Sequence, residues 1–456
     1  MSEVLTLGDV ADIVAGVGFP KDMQGGQDGA IPVFKVGDIS AAWLQGKSLL
    51  NDSRNYLSAE EAKSLGKCVP AGATVFAKIG EALRLNRRVM LGRDALVDNN
   101  VMGLVPKRER VAPKYLYYFM QTVDLGELSR STTVPSIRKS DVVEISIPVP
   151  AIAVQDEIVA ELEKQFSRLD EAVANLQRVK ANLKRYKASV LKAAVEGRLV
   201  ETEATLARRE GRTYETGEQL LQRILDERRA KWAGRGKYKL PVSPFKDGLS
   251  DLPDGWTWAT ADQLAYLITS GSRGWGDFYS DTGVLFIRAQ DIKTDALNLP
   301  DAARVDVPID AEGTRSSVSE GNILVTITGA NVTKSALVPA LGELAFVSQH
   351  VALMKLCMPE TAAFAFNWII SPANGRKTLE SWAYGAGKPG LSLEQVRALP
   401  IALPPLAEQT RIVAEVDRHL SIIREVEAEV DINLQRAQAL RQSTLAKAFG
   451  VEGREL

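Results

Sequence analysis

Apolar positions change period several times along the chain, and the longest regular stretch has the period of a helix. Val159, Leu162, Phe166, Leu169, Val173 and Leu176 alternate at spacings of three and four, continued by Leu183 and Val190. This a/d pattern gives a helix one apolar seam, as in a coiled coil. A second run, Val413, Val416, Leu420, Ile423, Val430, Leu434 and Ala437, has apolar residues at corresponding or adjacent places. Each run follows prolines (Pro148 and Pro150; Pro404 and Pro405) and stops near a glycine (Gly197; Gly450), the signals of a helix start and end. A helix of about 45 residues spans ~65 Å at 1.5 Å per residue, too long for one small domain to cover. A lone amphipathic stripe most often docks on its own domain. Two matched stripes predict that the helices pack on each other, antiparallel, as a rigid spacer.

The residues around these seams repeat as well. Ile147 to Leu162 returns as Ile401 to Val416, with Gln155 and Gln409 standing 254 positions apart, and the copies stay in step for roughly 50 residues. Upstream the match is looser. Val33 to Ile39 corresponds to Phe286 to Ile292, Gly72 to Gly80 to Gly321 to Gly329, and Val97 to Val101 to Val347 to Val351. These are β-branched runs bounded by Gly, Asp and Asn, hence strands and turns. Pro135, Ser136 and Ile137 align with Pro389, Gly390 and Leu391, just before the strand that leads into each helix.

Repetition at the period of a whole domain points to a tandem architecture. The expected fold class is α+β: two globular domains of mixed strands and helices, separated by two long helices that pair as an antiparallel coiled coil. The expected boundaries are a first domain over 1–146, a long helix over 147–198, a basic helical linker over 199–250, a second domain over 251–400 and a second long helix over 401–450.

Composition narrows the class. With 456 residues, 45% hydrophobic and 25% charged, the chain can bury more than one core and is not disordered. No apolar run approaches the roughly 18 residues that span a bilayer, and the segment from Met1 to Leu7 lacks the basic and apolar parts of a signal peptide. A cytoplasmic protein without membrane contact is expected. Cys68 and Cys357 lie in different domains, aligned with Ser317 and Lys107, so neither a disulfide framework nor a metal site is expected.

A formal net charge of −1 is not that of a simple nucleic-acid binder, yet the charge is unevenly placed. Between Arg178 and Lys239, Lys and Arg outnumber Asp and Glu about two to one, through Lys180, Lys184, Arg185, Lys187, Arg208, Arg209, Arg228, Arg229, Lys237 and Lys239 among others. Such a run serves either as a solvated helix face and linker or as phosphate contacts.

Motifs for catalysis are scarce. His350 and His419 are the only histidines, and neither has a histidine counterpart in the other copy, so a repeated triad or zinc site cannot be built. Gly385 to Pro389 is glycine-rich around Lys388 but lacks the lead and the following Ser or Thr of a phosphate-binding loop. There is no Asn-Pro-Pro-aromatic run and no Gly-x-Gly-x-x-Gly turn. Carboxylates are scattered, which leaves a nuclease site open. The balance favours recognition, with no catalytic residue assigned.

Four features together resemble the specificity subunit of type I restriction-modification systems. They are the tandem layout, the start of the second helix through Pro405, Leu406, Glu408, Gln409 and Ile412, the helix ends at Leu191 to Leu199 and Leu445 to Phe449, and the Leu252 to Trp258 opening of the second domain. The resemblance covers essentially the whole chain. Departures are modest: the first domain starts at Leu5 without a Pro-Gly-Trp lead, and Val154 precedes Gln155 where Glu is more usual.

The resemblance implies two target recognition domains, each reading half of a bipartite site on double-stranded DNA, and paired helices that set the gap. The seam (Val159, Leu162, Phe166, Leu169, Leu176, Val413, Val416, Leu420, Ile423 and Val430) would also hold methyltransferase subunits, two in number. It further implies restriction and translocase subunits, with S-adenosylmethionine, ATP and magnesium bound by partners and no cofactor in this chain. This chain would be non-catalytic.

The residues expected to touch DNA fall in three groups of loops. The first is Lys78, Arg84, Asn86, Arg87 and Arg88, with counterparts Thr328, Asn331 and Lys334. The second is Arg130, Thr132, Thr133, Arg138 and Lys139, with counterparts Tyr384, Lys388 and Ser392. The third contains Arg273, facing Phe19 to Lys21 in the first copy. Arg can bond guanine and Asn adenine in bidentate fashion, whereas Lys and Thr more often hold phosphate. Trp256 and Trp258 are expected in the core. A single-chain DNA-modifying enzyme and a coiled-coil scaffold without a DNA role both remain open at this point.

Overall fold

The computed structural model describes residues 3–129, 134–232, 237–245, 248–271, 274–307, 313–385 and 389–451. Two compact units emerge, residues 1–178 with 430–456 and residues 179–429. The long helices, Ile152–Val195 and Leu406–Phe449, are 44 residues each, and each contributes one half to either unit.

In the first unit, the strands Thr74–Ala77 and Arg88–Leu91 are buried throughout and Val101–Pro106 nearly so, as expected of interior strands. A five-stranded sheet runs in the order 11–15, 101–106, 74–77, 88–91, 49–50. Beside it, Ile31–Phe34 pairs with Leu96–Val97 in parallel, and Glu3–Thr6 pairs antiparallel with Ser146–Val149.

The second unit repeats these pairings with the same sense. Its four-stranded sheet runs 265–270, 351–356, 323–326, 335–337. Val284–Ile287 pairs in parallel with Ala345–Val347, and Thr257–Thr260 antiparallel with Pro400–Leu403. The repeat seen in the sequence is therefore a repeat of strand order.

Local signals repeat too. Thr6 with Asp9 and Thr260 with Gln263 form capping boxes at matching places. Ser392 with Gln395 forms another, and at the matching place of the first unit Asp141 accepts from the Arg138 amide. In each box the third helical residue returns a side-chain bond to the cap amide, satisfying a donor the helix start would otherwise leave free.

The helix Pro113–Met120 shows how the first core closes. Six consecutive residues, Tyr115 to Met120, are buried, which a one-sided amphipathic helix cannot achieve. Tyr118 lies 5.7 Å from the Phe166 ring, while Tyr115 and Phe119 lie 4.9 and 5.6 Å from Phe449. Sheet residues cover the helix from one side and the first unit's halves of the long helices from the other. Arg441 reaches back to Asp170 at 2.6 Å and lies 4.3 Å from the Phe166 ring.

In the second unit the long-helix halves run antiparallel. Tyr186 meets His419 at 2.9 Å, and further along the chain Glu203 pairs with Arg411 at 2.6 Å while its amide bonds Glu408 at 2.8 Å. Of the seam residues, Val159, Leu162, Phe166, Val416, Ile423 and Val430 are buried, and Leu169, Leu176, Val413 and Leu420 are half-buried.

The stretch 199–250 contributes to a core as well as linking. Leu220 and Ile224, on the helix Gly217–Ala230, are fully buried in the second unit. Its cations form ion pairs: Arg209 with Glu201 at 2.7 Å, Arg212 with Glu203 at 2.6 Å, Arg223 with Glu215 at 2.8 Å and Arg228 with Asp262 at 3.4 Å. Trp256 is buried and donates to Glu408 at 2.9 Å; Trp258 packs edge-on to Trp368. Trp256 is part of the core, and Trp258, half-buried, packs against it.

Burial also fixes an alkaline limit for the first unit. Desolvation pushes Tyr115 and Tyr117 up to about 12 and Tyr118 up further. An unfolded tyrosine loses its proton near 10. Between these values the unfolded state holds fewer protons, so stability is fully present below pH ~10 and is lost as pH rises through the folded values. Arg88, pushed down to about 10 by burial, opposes this with a single proton. Denaturant unfolding between pH 9 and 11.5 should show a net fall, made shallower by Tyr117→Phe. An unchanged slope in that variant would remove Tyr117 as a source.

Candidate nucleic-acid interface

The interface is built where a strand ends and the chain has to turn. Thr74–Ala77 and Ile323–Thr326 each run into a glycine, Gly80 and Gly329, with φ of 84° and 93°. A side chain at such an angle would be strained. The turn brings the first candidate loop against the second. Gly80 N donates to Pro135 O at 2.8 Å and Ile137 N to Lys78 O at 3.0 Å, bridging Ile79 and Ser136. In the second unit Gly329 N donates to Pro389 O at 3.0 Å and Leu391 N to Ile327 O at 2.8 Å, bridging Thr328 and Gly390. Two loops far apart in sequence thus form one continuous edge in each unit.

On the first edge Lys78 and Arg87 are half-exposed, and Arg84, Arg138 and Lys139 are exposed. Arg84 is held by Glu81 at 2.7 Å. Arg138 and Lys139 open the short helix Lys139–Val143, whose start is fixed by the Arg138 amide donating to Asp141 at 2.9 Å.

Two residues expected on this edge have another task. Arg88 is only 2% exposed, and its guanidinium donates to Asn86 O at 3.0 Å, Val123 O at 3.0 Å and Met120 O. The last carbonyls of the helix Pro113–Met120 need donors, and Arg88 supplies them from the neighbouring strand. Asn86 takes φ of 54°, which asparagine tolerates. Its amide bonds Asp124 at 2.9 Å while its oxygen accepts from Leu125 N at 2.8 Å. Arg88 is therefore a fold residue, unable to reach a duplex, and Asn86 ties the loop to the segment after that helix.

Among the described residues the second edge is less charged. Thr328 is half-buried and Tyr384 is 65% exposed, its backbone paired with Gly390. Asn331 donates to Ala289 O at 3.0 Å and accepts from Lys334 at 2.7 Å, so the two stabilise their own loop. Ser392 accepts from Gln395 N at 3.1 Å as a helix cap. Arg130, Thr132, Thr133, Arg273 and Lys388 lie outside the described residues. In the third group, Trp275 stacks on Phe286 with ring centroids 5.5 Å apart and belongs to a small core.

Sequence reasoning read Gln155 and Gln409 only as a repeat marker, although both are buried at the starts of the long helices. Gln155 donates to Arg110 O and Pro150 O and accepts from Ala112 N; Gln409 donates to Pro404 O. Each clamps the entry strand onto its helix. Their identical position in both copies was the available signal. Among the described residues no group of His, Cys, Asp or Glu is placed to hold a metal ion, and no helix is long and apolar enough to cross a membrane.

Comparison with known proteins points to one family of chains. Residues 2–184 match the family model described as the type I restriction modification DNA specificity domain. The chain is 22% identical to the type I restriction enzyme EcoBI specificity subunit of Escherichia coli, over 98% of this chain and 85% of that protein. It is 21% identical to the StySPI specificity subunit of Salmonella potsdam, over 76% of this chain and 67% of that protein. In fold it resembles a chain solved in work on complex assembly and conformational transition of the type I R-M system, with a TM-score of 0.61 and 16% identity over 98% of this chain and 97% of the other. Residues 2–184 thus match a type I DNA specificity domain, and the chain as a whole is similar to type I specificity subunits.

Proposed function

We propose that this chain is the sequence-specific DNA-recognition subunit of a type I restriction-modification complex, with each unit reading one half of a bipartite site. The observation that carries the reading is the bridge repeated in both units, Ile79 with Ser136 and Thr328 with Gly390. In each case it joins two loops rich in donors into one edge on an otherwise similar sheet. Loops on a rigid frame are where binding residues concentrate, and a duplex offers its groove again about every 34 Å to a reader that holds two such edges.

The long helices set the spacer and hold two methyltransferase subunits along their exposed faces. Methyl transfer from S-adenosylmethionine then takes place in those partners, on an adenine flipped out of the stack. ATP-dependent translocation and cleavage, with magnesium, belong to a further restriction subunit. This chain supplies the address, in the cytoplasm.

Purified chain alone is expected to show no methyl transfer. Chain plus methyltransferase subunit should methylate a bipartite site, and the methyltransferase alone should not. Methyl transfer by this chain in isolation would overturn the proposal, as would a complex that methylates without regard to sequence.

A further inference from the structure

The two edges share one backbone plan but not one charge, and this contrast rests on the DNA-reading function proposed above. Matching the bridges and the strands beside them places four cations of the first edge, those without a salt bridge, opposite residues of the second. Lys78, just before the first bridge, corresponds to Ile327, which is 7% exposed in the core. Arg138 corresponds to Ser392, which caps a helix, and Lys139 to Leu393, which packs on the core. Arg87 corresponds to Lys334, held by Asn331 at 2.7 Å. None of Lys78, Arg87, Arg138 and Lys139 has a salt bridge among the described residues, and all four side chains are at least partly exposed.

We propose that the first unit carries a phosphate grip of the complex, through Lys78, Arg87, Arg138 and Lys139, whose counterparts among the described residues of the second unit are uncharged or already engaged. Phosphate contacts fix position and register without carrying sequence information. Each one releases condensed counterions, so the logarithm of affinity falls with the logarithm of salt by about 0.9 per contact. Four cations without a salt bridge among the described residues, set against described counterparts of which only Lys334 is charged and is held by Asn331, make that slope steep for the first edge. The first half-site anchors the complex, and the second adds discrimination through neutral groups such as Thr328 and the exposed Tyr384.

The test is a salt titration of the assembled complex, chain with methyltransferase subunit, on a duplex containing its site. Compared are the wild type, the fourfold variant Lys78→Gln, Arg87→Gln, Arg138→Gln and Lys139→Gln, and the single variant Lys334→Gln. All four substitutions lie at exposed or half-exposed positions; assembly and thermal melting check that the variant folds. The fourfold variant should lower the slope by roughly 2 to 4 and weaken binding at physiological salt by 100-fold or more. The set of methylated sequences should stay the same. Lys334→Gln should leave the slope within about half a unit of wild type.

A fourfold variant with the wild-type slope overturns the proposal, and so does a Lys334→Gln slope change as large as one contact. A changed base preference in one half-site would mean that these residues read bases, which overturns it equally. If the wild-type complex shows no salt-dependent binding at all, the DNA-reading function itself fails, a result distinct from these.

Discussion

Ile423→Asp is expected to destabilise the second unit by at least about 3 kcal/mol and to prevent assembly with partner subunits. Ile423 is 2% exposed and shares the walls of a cavity of about 320 Å³ with Val413, Leu420 and Phe366. Two losses add there: the transfer energy of the isoleucine and the cost of placing a carboxylate at a position only 2% exposed. Lys187, on the same wall, is already paired with Asp295 at 3.4 Å and offers limited relief. A loss of this size lowers the melting temperature by about 6–12 °C in a unit of this length. Leu169→Asp, at a half-buried seam position of the first unit, should cost less, because water still solvates part of the side chain. Thermal melting of both variants, with partner binding measured alongside, checks the order. Equal melting temperatures for Ile423→Asp and wild type would show that Ile423 is not packed.

The same contrast shows where sequence pattern is informative. The spacing of three and four located both helices because burial on a helix follows its own period, and the residues that set it are near neighbours in the chain. Pattern does not say how deep each seam position lies. Leu169 and Ile423 read alike, yet what covers them is contributed by strands and helices elsewhere in the sequence. Repetition was the second legible signal. Because Pro135 to Ile137 and Pro389 to Leu391 occupy the same place in two copies, the loops containing them could be recognised as equivalent before any pairing was known.

Arg88 and the basic linker show what could not be read. The segment from Lys78 to Arg88 mixes four cations with apolar residues, and nothing in that pattern separates the buried cation from the exposed ones. What buries Arg88 is the need of Met120 O and Val123 O for donors, and that need arises at a helix end more than 30 residues away in sequence. Asn331 and Lys334 read as donors in the sequence, while their mutual bond and the contact with Ala289 are made by the tertiary fold. In the linker, Arg209, Arg212 and Arg223 find acids nearby in sequence, but only helix geometry decides which. The bridges that assemble the edges are non-local in the same way, since Ile79 and Ser136 meet only when the sheet has formed.

Exchanging roughly residues 5 to 140 for the corresponding unit of a similar specificity subunit should change one half of the recognised sequence completely and leave the other half and the spacing untouched. The repeat makes this expectation specific: each unit has its own sheet, its own bridged loops and its own core. A second alteration acts on the spacer instead. Four residues inserted near Asn182, an exposed position on the first long helix, add about one turn and ~6 Å. Because a turn holds 3.6 residues, the seam beyond the insertion rotates by only about 40° and keeps most of its register. The recognised halves should then keep their bases while the gap between them grows by one or two base pairs, 6 Å being roughly two steps of a duplex at about 3.4 Å each. Mapping methylated positions across a genome expressing each variant reads both results directly. A unit exchange that alters both halves, or an insertion that alters base identity at a fixed gap, would rule out two independent readers held at a set distance.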